Sequence, residues 1–310
     1  GERRAVSKRK KKRPAPRLSQ PEDPAREVEP PADGAREPGA LGYLRWVTLG
    51  AWRRSDARAL AHRQARADAG LGPDWKPAAT LVLGALILAA LHYAGKGEGF
   101  DAFASRFVDA DWAQDRFSPL YQANEKLWWT GWRIAGYLVV PALFVKLVLR
   151  ERLRDHGLTT EGFANHLAIY GACLCVVLPL VALVSYEPTF QNKYPMYDLA
   201  GRSLSDLLWW ESLYALQFFS LEFFFRGHWL EVLERTMGSH AIFAMMVPYC
   251  LIHFGKPWPE TVGAIVAGLA LGTLALRYRS IWAGFLVHVS VAVSMDLASL
   301  IQRGELPSSW

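Results

Sequence analysis

Residues 204–226 read LSDLLWWESLYALQFFSLEFFFR. A membrane-spanning helix needs about 20 mostly apolar residues, and this run has the length. It also holds Glu222 and Arg226, four residues apart, with three phenylalanines between them. Ionisable groups inside apolar runs are costly and rare, so they mark functional sites by default. The stretch decides two things together: the fold is a membrane helix bundle, and its chemistry is inside it.

Working outward, six more segments have the same character: 78–95, 128–149, 164–185, 240–254, 260–276 and 281–301. The fold class predicted is all-α, a polytopic membrane helix bundle of about seven transmembrane helices. Trp128, Trp129, Trp132, Trp209, Trp210 and Trp282 stand at segment ends, as an aromatic belt predicts. Ala264, Gly268 and Gly272 form a small-residue stripe against which another helix can pack closely. Segment 240–254 is short and runs into Phe254-Gly255-Lys256-Pro257-Trp258-Pro259, which cannot stay helical. Irregular backbone at membrane depth survives only where it lines protein or water.

The chain has 310 residues and a formal charge of +6. Residues 1–77 hold 18 basic and 10 acidic side chains, and residues 78–310 hold 17 and 19. The excess therefore lies in the first quarter, which excludes a soluble nucleic-acid binder, and no nucleic-acid partner is expected. Residues 1–40, with Lys8 to Arg13 all basic, are too polar to form a core and are expected to be a disordered cytoplasmic arm. The arm can meet anionic lipid. The stretch Gly1–Pro38 lacks the apolar core of a signal peptide. Residues 41–77 are expected to be an amphipathic interfacial helix and linker, mixing Leu41, Trp46 and Trp52 with Arg45, Arg53 and Arg58. Residues 78–310 form the membrane domain. Segment 96–127 is an acidic loop, whereas 150–154 and 277–279 carry five arginines. The positive-inside rule then places the N-terminus in the cytoplasm of an inner or cytoplasmic membrane. Cys173, Cys175 and Cys250 lie in apolar segments without disulfide or metal spacing.

Four residues stand out for chemistry: Glu222, Arg226, His253 and His288. Glu222 and Arg226 share a helix face, the acid N-terminal to the base, in the better orientation for a pair. His253 follows Tyr249 by four and emerges where its helix breaks; His288 sits about two turns into the last segment. Asp296, Tyr249 and Glu260 are of second rank. A glutamate and two histidines on three membrane helices suit water activation, directly or through a metal. No zinc-type HExxH occurs.

These motifs, Glu-Phe-Phe-Phe-Arg-Gly, then Tyr249-xxx-His253-Phe254-Gly255-Lys256-Pro257 with Glu260 following, then Ser280 to His288, resemble the CAAX-protease and bacteriocin-processing (CPBP) family of membrane proteins. The resemblance covers roughly 204–300. It implies an all-helical membrane fold with a cavity inside the bundle, in an intramembrane endopeptidase of the glutamic type acting on a membrane-embedded or lipidated peptide. It assigns Glu222 and Arg226 to the first motif, His253 to the second and His288 to the third. It mildly favours a glutamate mechanism with no cofactor. A divalent metal such as zinc held by Glu222, His253 and His288 is the other reading. Two positions depart from the family pattern. Leu221 stands where the first of two glutamates is usual, and Ala292 where an Asn or Asp often follows the histidine. The alternative function is therefore a non-catalytic membrane binding or immunity protein using the same cavity. For the two halves of the site to meet, 204–236 should run as one long helix, with 240–253 stopping at mid-depth.

Overall fold

The computed structural model describes residues 39–113, 115–161 and 163–310. Nearly all of the basic arm expected over 1–40 therefore lies outside the described residues. Among the described residues the chain is helical and contains no strand. Ten helices follow: α1 Ala40–Asp68, α2 Trp75–Tyr93, α3 Gly97–Phe107, α4 Pro119–Leu149, α5 Phe163–Val184, the short α6 Pro188–Gln191, α7 over 204–237, α8 His240–Leu251, α9 Trp258–Tyr278 and α10 Trp282–Arg303. In α2, α4, α5, α9 and α10 the apolar run is long enough to cross a membrane. The protein is an integral membrane protein. Helices α7 and α8 complete the bundle, α7 carrying five acids along its length and α8 only 12 residues long.

The acidic segment 96–127 is more ordered than a loop. It contains α3, whose Phe100 and Ala104 are buried one turn apart. Helix α4 begins at Pro119, where the missing N–H of proline costs nothing. Helix α4 widens to π geometry at Ala135–Val139 and again at Phe144–Leu149.

Helix α7 is continuous. Its α-helical stretch Leu204–Glu222 passes into a π-turn over Phe223–Trp229 and then back to α geometry over Leu230–Met237. Ser203 caps its start by accepting from Asp206 N at 3.1 Å. The widened turn starts directly after Glu222, and π-bulges of this kind are frequent at functional sites. All seven residues of the turn are buried. Phe224, Phe225 and Trp229 join Leu221, Tyr137 and Tyr249 in the main apolar core.

Helix α8 stops early, as its sequence demands. After Leu251 the chain breaks at His253–Gly255, and Pro257 leads into α9. The α8–α9 pair is tight because α9 presents glycine. A Cβ on Gly268 would come within 3.0 Å of Met246 and 3.2 Å of Tyr249. That contact fixes where Tyr249 stands.

Helix α1 is docked against the protein along one face. Val47, Ala51, Ser55 and Ala59, four residues apart, are at most 1% exposed. They pack on the last turns of α7 and on α9. Trp52 Nε1 donates to Thr273 Oγ1 at 3.0 Å, and Asp56 accepts from Ser239 N at 2.8 Å. Arg58 pairs with Glu234 at 2.9 Å, and Arg277 stacks on Trp46 at 3.6 Å. The opposite face leaves Leu44, Leu49 and Leu60 exposed beside Arg45 and Arg53.

Candidate active site

Glu222 projects from the last α-helical turn before the π-segment and is fully buried. Its Oε1 accepts two hydrogen bonds, from Arg226 Nη1 at 2.9 Å and from His288 Nδ1 at 2.6 Å. The first is the i, i+4 pair expected from the sequence. The second joins α7 to α10 across 66 residues of chain. Glu222 Oε2 is buried and has no hydrogen-bond partner. It lies over Gly284, where an added Cβ would approach it to 2.8 Å.

His288 uses both ring nitrogens. With Nδ1 donating to the carboxylate, the neutral ring accepts at Nε2 from the Tyr249 hydroxyl at 2.8 Å. Phe218 stacks on the same imidazole at 5.2 Å. The Tyr249 ring in turn lies beneath Arg226, 4.1 Å from guanidinium carbon to ring centroid. The four side chains close a ring of contacts: carboxylate to guanidinium, guanidinium to phenol, phenol to imidazole, imidazole to carboxylate. A buried ion pair repays its desolvation only when further hydrogen bonds complete it, and His288 and Tyr249 supply them. The His288 side chain, 14% exposed, is the outward edge of the group.

The remaining sequence candidates stand further off. His253 Nδ1 bonds to the Tyr249 carbonyl at 2.8 Å, and its ring meets the Tyr249 ring edge-on at 4.9 Å. It reaches Glu222 only through Tyr249 and His288. Asp296 accepts from Trp210 Nε1 at 2.7 Å and lies beside Glu211, two turns along α10 from His288. Glu260 pairs with Lys256 at 2.6 Å and accepts from the Tyr194 hydroxyl. Leu221 faces the apolar core with Phe224 and Tyr249, and Ala292 packs with Trp210 and Tyr214. Among the described residues, no three His, Cys, Asp or Glu side chains converge as a metal cage.

One cluster was not foreseen from the sequence. Glu151, just beyond α4, binds Lys76 Nζ at 2.5 Å, Arg235 through both oxygens at 2.6 and 2.8 Å, and His156 Nε2 at 3.0 Å. Burial pushes its carboxyl up, but His156, Arg235 and Lys76 outweigh that and hold it well below the usual carboxylate range. His156 is itself fully buried, and its Nδ1 meets the Gly227 carbonyl at 3.2 Å, inside the π-turn. Ile281 N donates to Gly157 O at 3.0 Å, so the same loop also holds the start of α10. The loop thus ties down both helices that carry the carboxylate–imidazole contact. The available signal was Glu151, a lone acid within the basic run 150–154.

Residues 203–294 match the family model described as type II CAAX prenyl endopeptidase Rce1-like. No curated protein and no solved structure matches the chain. The matched segment spans α7 to α10 and contains every member of the Glu222, Arg226, Tyr249 and His288 group. The segment that builds this site is thus similar to the Rce1-like family of type II CAAX prenyl endopeptidases, over residues 203–294 alone.

Proposed function

We propose that the protein is an intramembrane endopeptidase that hydrolyses a peptide bond of a membrane-embedded or lipid-modified peptide. One observation carries the reading: a carboxylate inside a membrane bundle, held on one oxygen by Arg226 and His288, with its other oxygen unpaired. A carboxylate so held is oriented, and its open oxygen is the natural base toward a water. In this reading Glu222 removes the proton from water and later returns it to the leaving nitrogen. His288 and Tyr249 fix the carboxylate, and His253 positions Tyr249. The reaction needs no metal here. His288 spends both nitrogens within the group and His253 spends one on backbone, which leaves a poor ligand set. The substrate enters from the lipid, past the partly exposed edge of His288.

The second reading, a binding or immunity protein using the same cavity, draws on Leu221 and Ala292. Both positions are apolar and packed rather than open to the site. One experiment separates the two. Glu222→Gln keeps the shape of the side chain and its acceptor but not the base. Purified in liposomes with an S-farnesylated peptide of the CAAX type, the wild-type protein releases the C-terminal fragment. The folded Glu222→Gln protein should not. Equal cleavage by both proteins removes the peptidase reading, and full biological activity of both Glu222→Gln and His288→Ala leaves the binding reading in place.

A further inference from the structure

Arg226 brings more to the site than its pair with Glu222 uses. A guanidinium has an end edge and a side edge, the latter formed by Nε and Nη2 with their N–H bonds nearly parallel. Nη1 is committed to Glu222 Oε1, and one face of the group is covered by the Tyr249 ring. The side edge is different. Nε and Nη2 are both buried and neither has a hydrogen-bond partner. Leaving such donors unmet is costly, and more so for a charged group. A membrane bundle that keeps a charged fork open holds it for an occupant, with water filling it between turnovers.

The shape of the fork says what the occupant is. Two parallel donors match two oxygens on one atom, as carboxylates and phosphates present them. Glu222 Oε2, the open acceptor, belongs to the same ion pair. Resting on the peptidase reading, the step balances as follows. An O–H bond of water breaks and its proton goes to Glu222 Oε2. The hydroxide oxygen bonds to the scissile carbonyl carbon, and the carbonyl π pair moves to oxygen. That carbon now carries two oxygens, and the former carbonyl oxygen bears the negative charge. Glu222 then returns its proton to the amide nitrogen and the C–N bond breaks, releasing the amine and a carboxylic acid, whose O–H proton passes to that amine to leave a carboxylate.

We propose that Arg226 is a catalytic residue whose Nε–Nη2 edge binds the two oxygens of the tetrahedral intermediate, and afterwards the carboxylate of the product. No other side chain of the group can do this. His288 spends both nitrogens, and His253 lies beyond Tyr249. The pair with Glu222 therefore serves both partners: it holds the fork in register with the base.

The test uses the full chain in liposomes, an S-farnesylated CAAX-type peptide, and the same peptide with a phosphinate at the scissile bond. Arg226→Lys keeps a cation for Glu222 but replaces the fork with a point charge. It should lower kcat by about 100-fold, the scale of losing a preorganised oxyanion donor, and leave KM within about threefold. Phosphinate inhibition should weaken by a similar factor. Unchanged kcat, or a phosphinate that binds Arg226→Lys as tightly as wild type, overturns the assignment. Should the variant not fold, the wild-type protein decides alone. The product ending in the new carboxylate should inhibit at least about tenfold more tightly than the same product as its amide, and equal inhibition sinks the idea. A wild-type protein that cleaves nothing instead fails the peptidase reading, and the role of Arg226 falls with it.

Discussion

Glu222 and Gly284 are in contact in a way that permits no side chain between them: a Cβ on Gly284 would lie 2.8 Å from Glu222 Oε2. Glycine at this point of α10 is what lets the unpaired carboxylate oxygen settle against the helix. Gly284→Ala should displace the carboxylate while Arg226 and His288 still pull on Oε1. Peptide cleavage should fall by about 100-fold, as a shift of about 1 Å at a reacting group can do. Stability should fall only by about 1–3 kcal/mol. Cleavage rate and thermal unfolding, measured on the same preparation, check both.

Tyr249→Phe removes the hydroxyl that holds His288 Nε2 and keeps the ring beneath Arg226. The stability cost should be about 1 kcal/mol, the value of one hydrogen bond. Cleavage should drop by about tenfold, because His288 is freer to swing away from Glu222. An unaltered rate with a normal melting temperature would show that the phenol plays no part in the site.

Glu151→Gln tests the loop that straps the site. The native carboxyl is held low by Lys76, Arg235 and His156, so it contributes stability above its ordinary titration range and loses it as pH falls. At neutral pH the variant should be destabilised by about 3 kcal/mol, since Arg235 is left partly buried with only the longer contact to Glu231 at 4.0 Å. The gap in melting temperature between wild type and variant should narrow steadily as the pH is lowered below about 4.5. A gap that stays constant with pH would contradict the linkage.

Gly238 joins α7 to α8 with φ of +58° and ψ of −137°, a region that only glycine adopts readily. A Cβ there would also meet Asp56 Oδ1 at 2.4 Å. Gly238→Ala should cost about 3 kcal/mol from the strain and push α1 away. Faster proteolysis of α1, read by limited digestion, is the expected sign; a digestion pattern identical to wild type would show that α1 is anchored by other contacts.

Prolonged dialysis against a chelator should leave cleavage intact, whereas His288→Ala should abolish it with the protein still folded. Loss on dialysis with recovery on adding zinc would establish the metal reading instead.

Much of the site is legible in the sequence for an energetic reason. A charge inside an apolar run is expensive, so Glu222, Arg226 and His288 stand out by residue type alone, and these three touch. The spacing also puts Tyr249 one turn before His253, but not that Tyr249 would be the one to meet His288. That follows from α8 packing on Gly268, a contact between helices. Two features were hidden. The strap of Glu151, His156 and Arg235 joins residues up to 84 apart through polar groups at loop ends, where polarity is ordinary. The docking face of α1 is made of Val47, Ala51, Ser55 and Ala59, small residues whose period is masked by the neighbouring arginines and tryptophans. Helix α3 is read as an acidic loop in the sequence because the surrounding acids obscure the buried pair Phe100 and Ala104.

The unbroken run of α7 has a further consequence. Its stretches of 19, 7 and 8 residues make a rod of about 50 Å, against a hydrocarbon thickness of about 30 Å. Such a rod leans or protrudes, and its far end is pinned by Glu234 to Arg58 and Arg279. The helix therefore works as a ruler with its zero mark at α1. The height of the carboxylate is set by counting residues back from that mark, at about 1.5 Å and 100° each. Adding one residue between Arg226 and Glu234 would turn the carboxylate away from His288 as well as raise it. If the site is a peptidase, the depth at which a bound peptide is cut is set by chain length, and a change in that length would retune which bonds the site can reach.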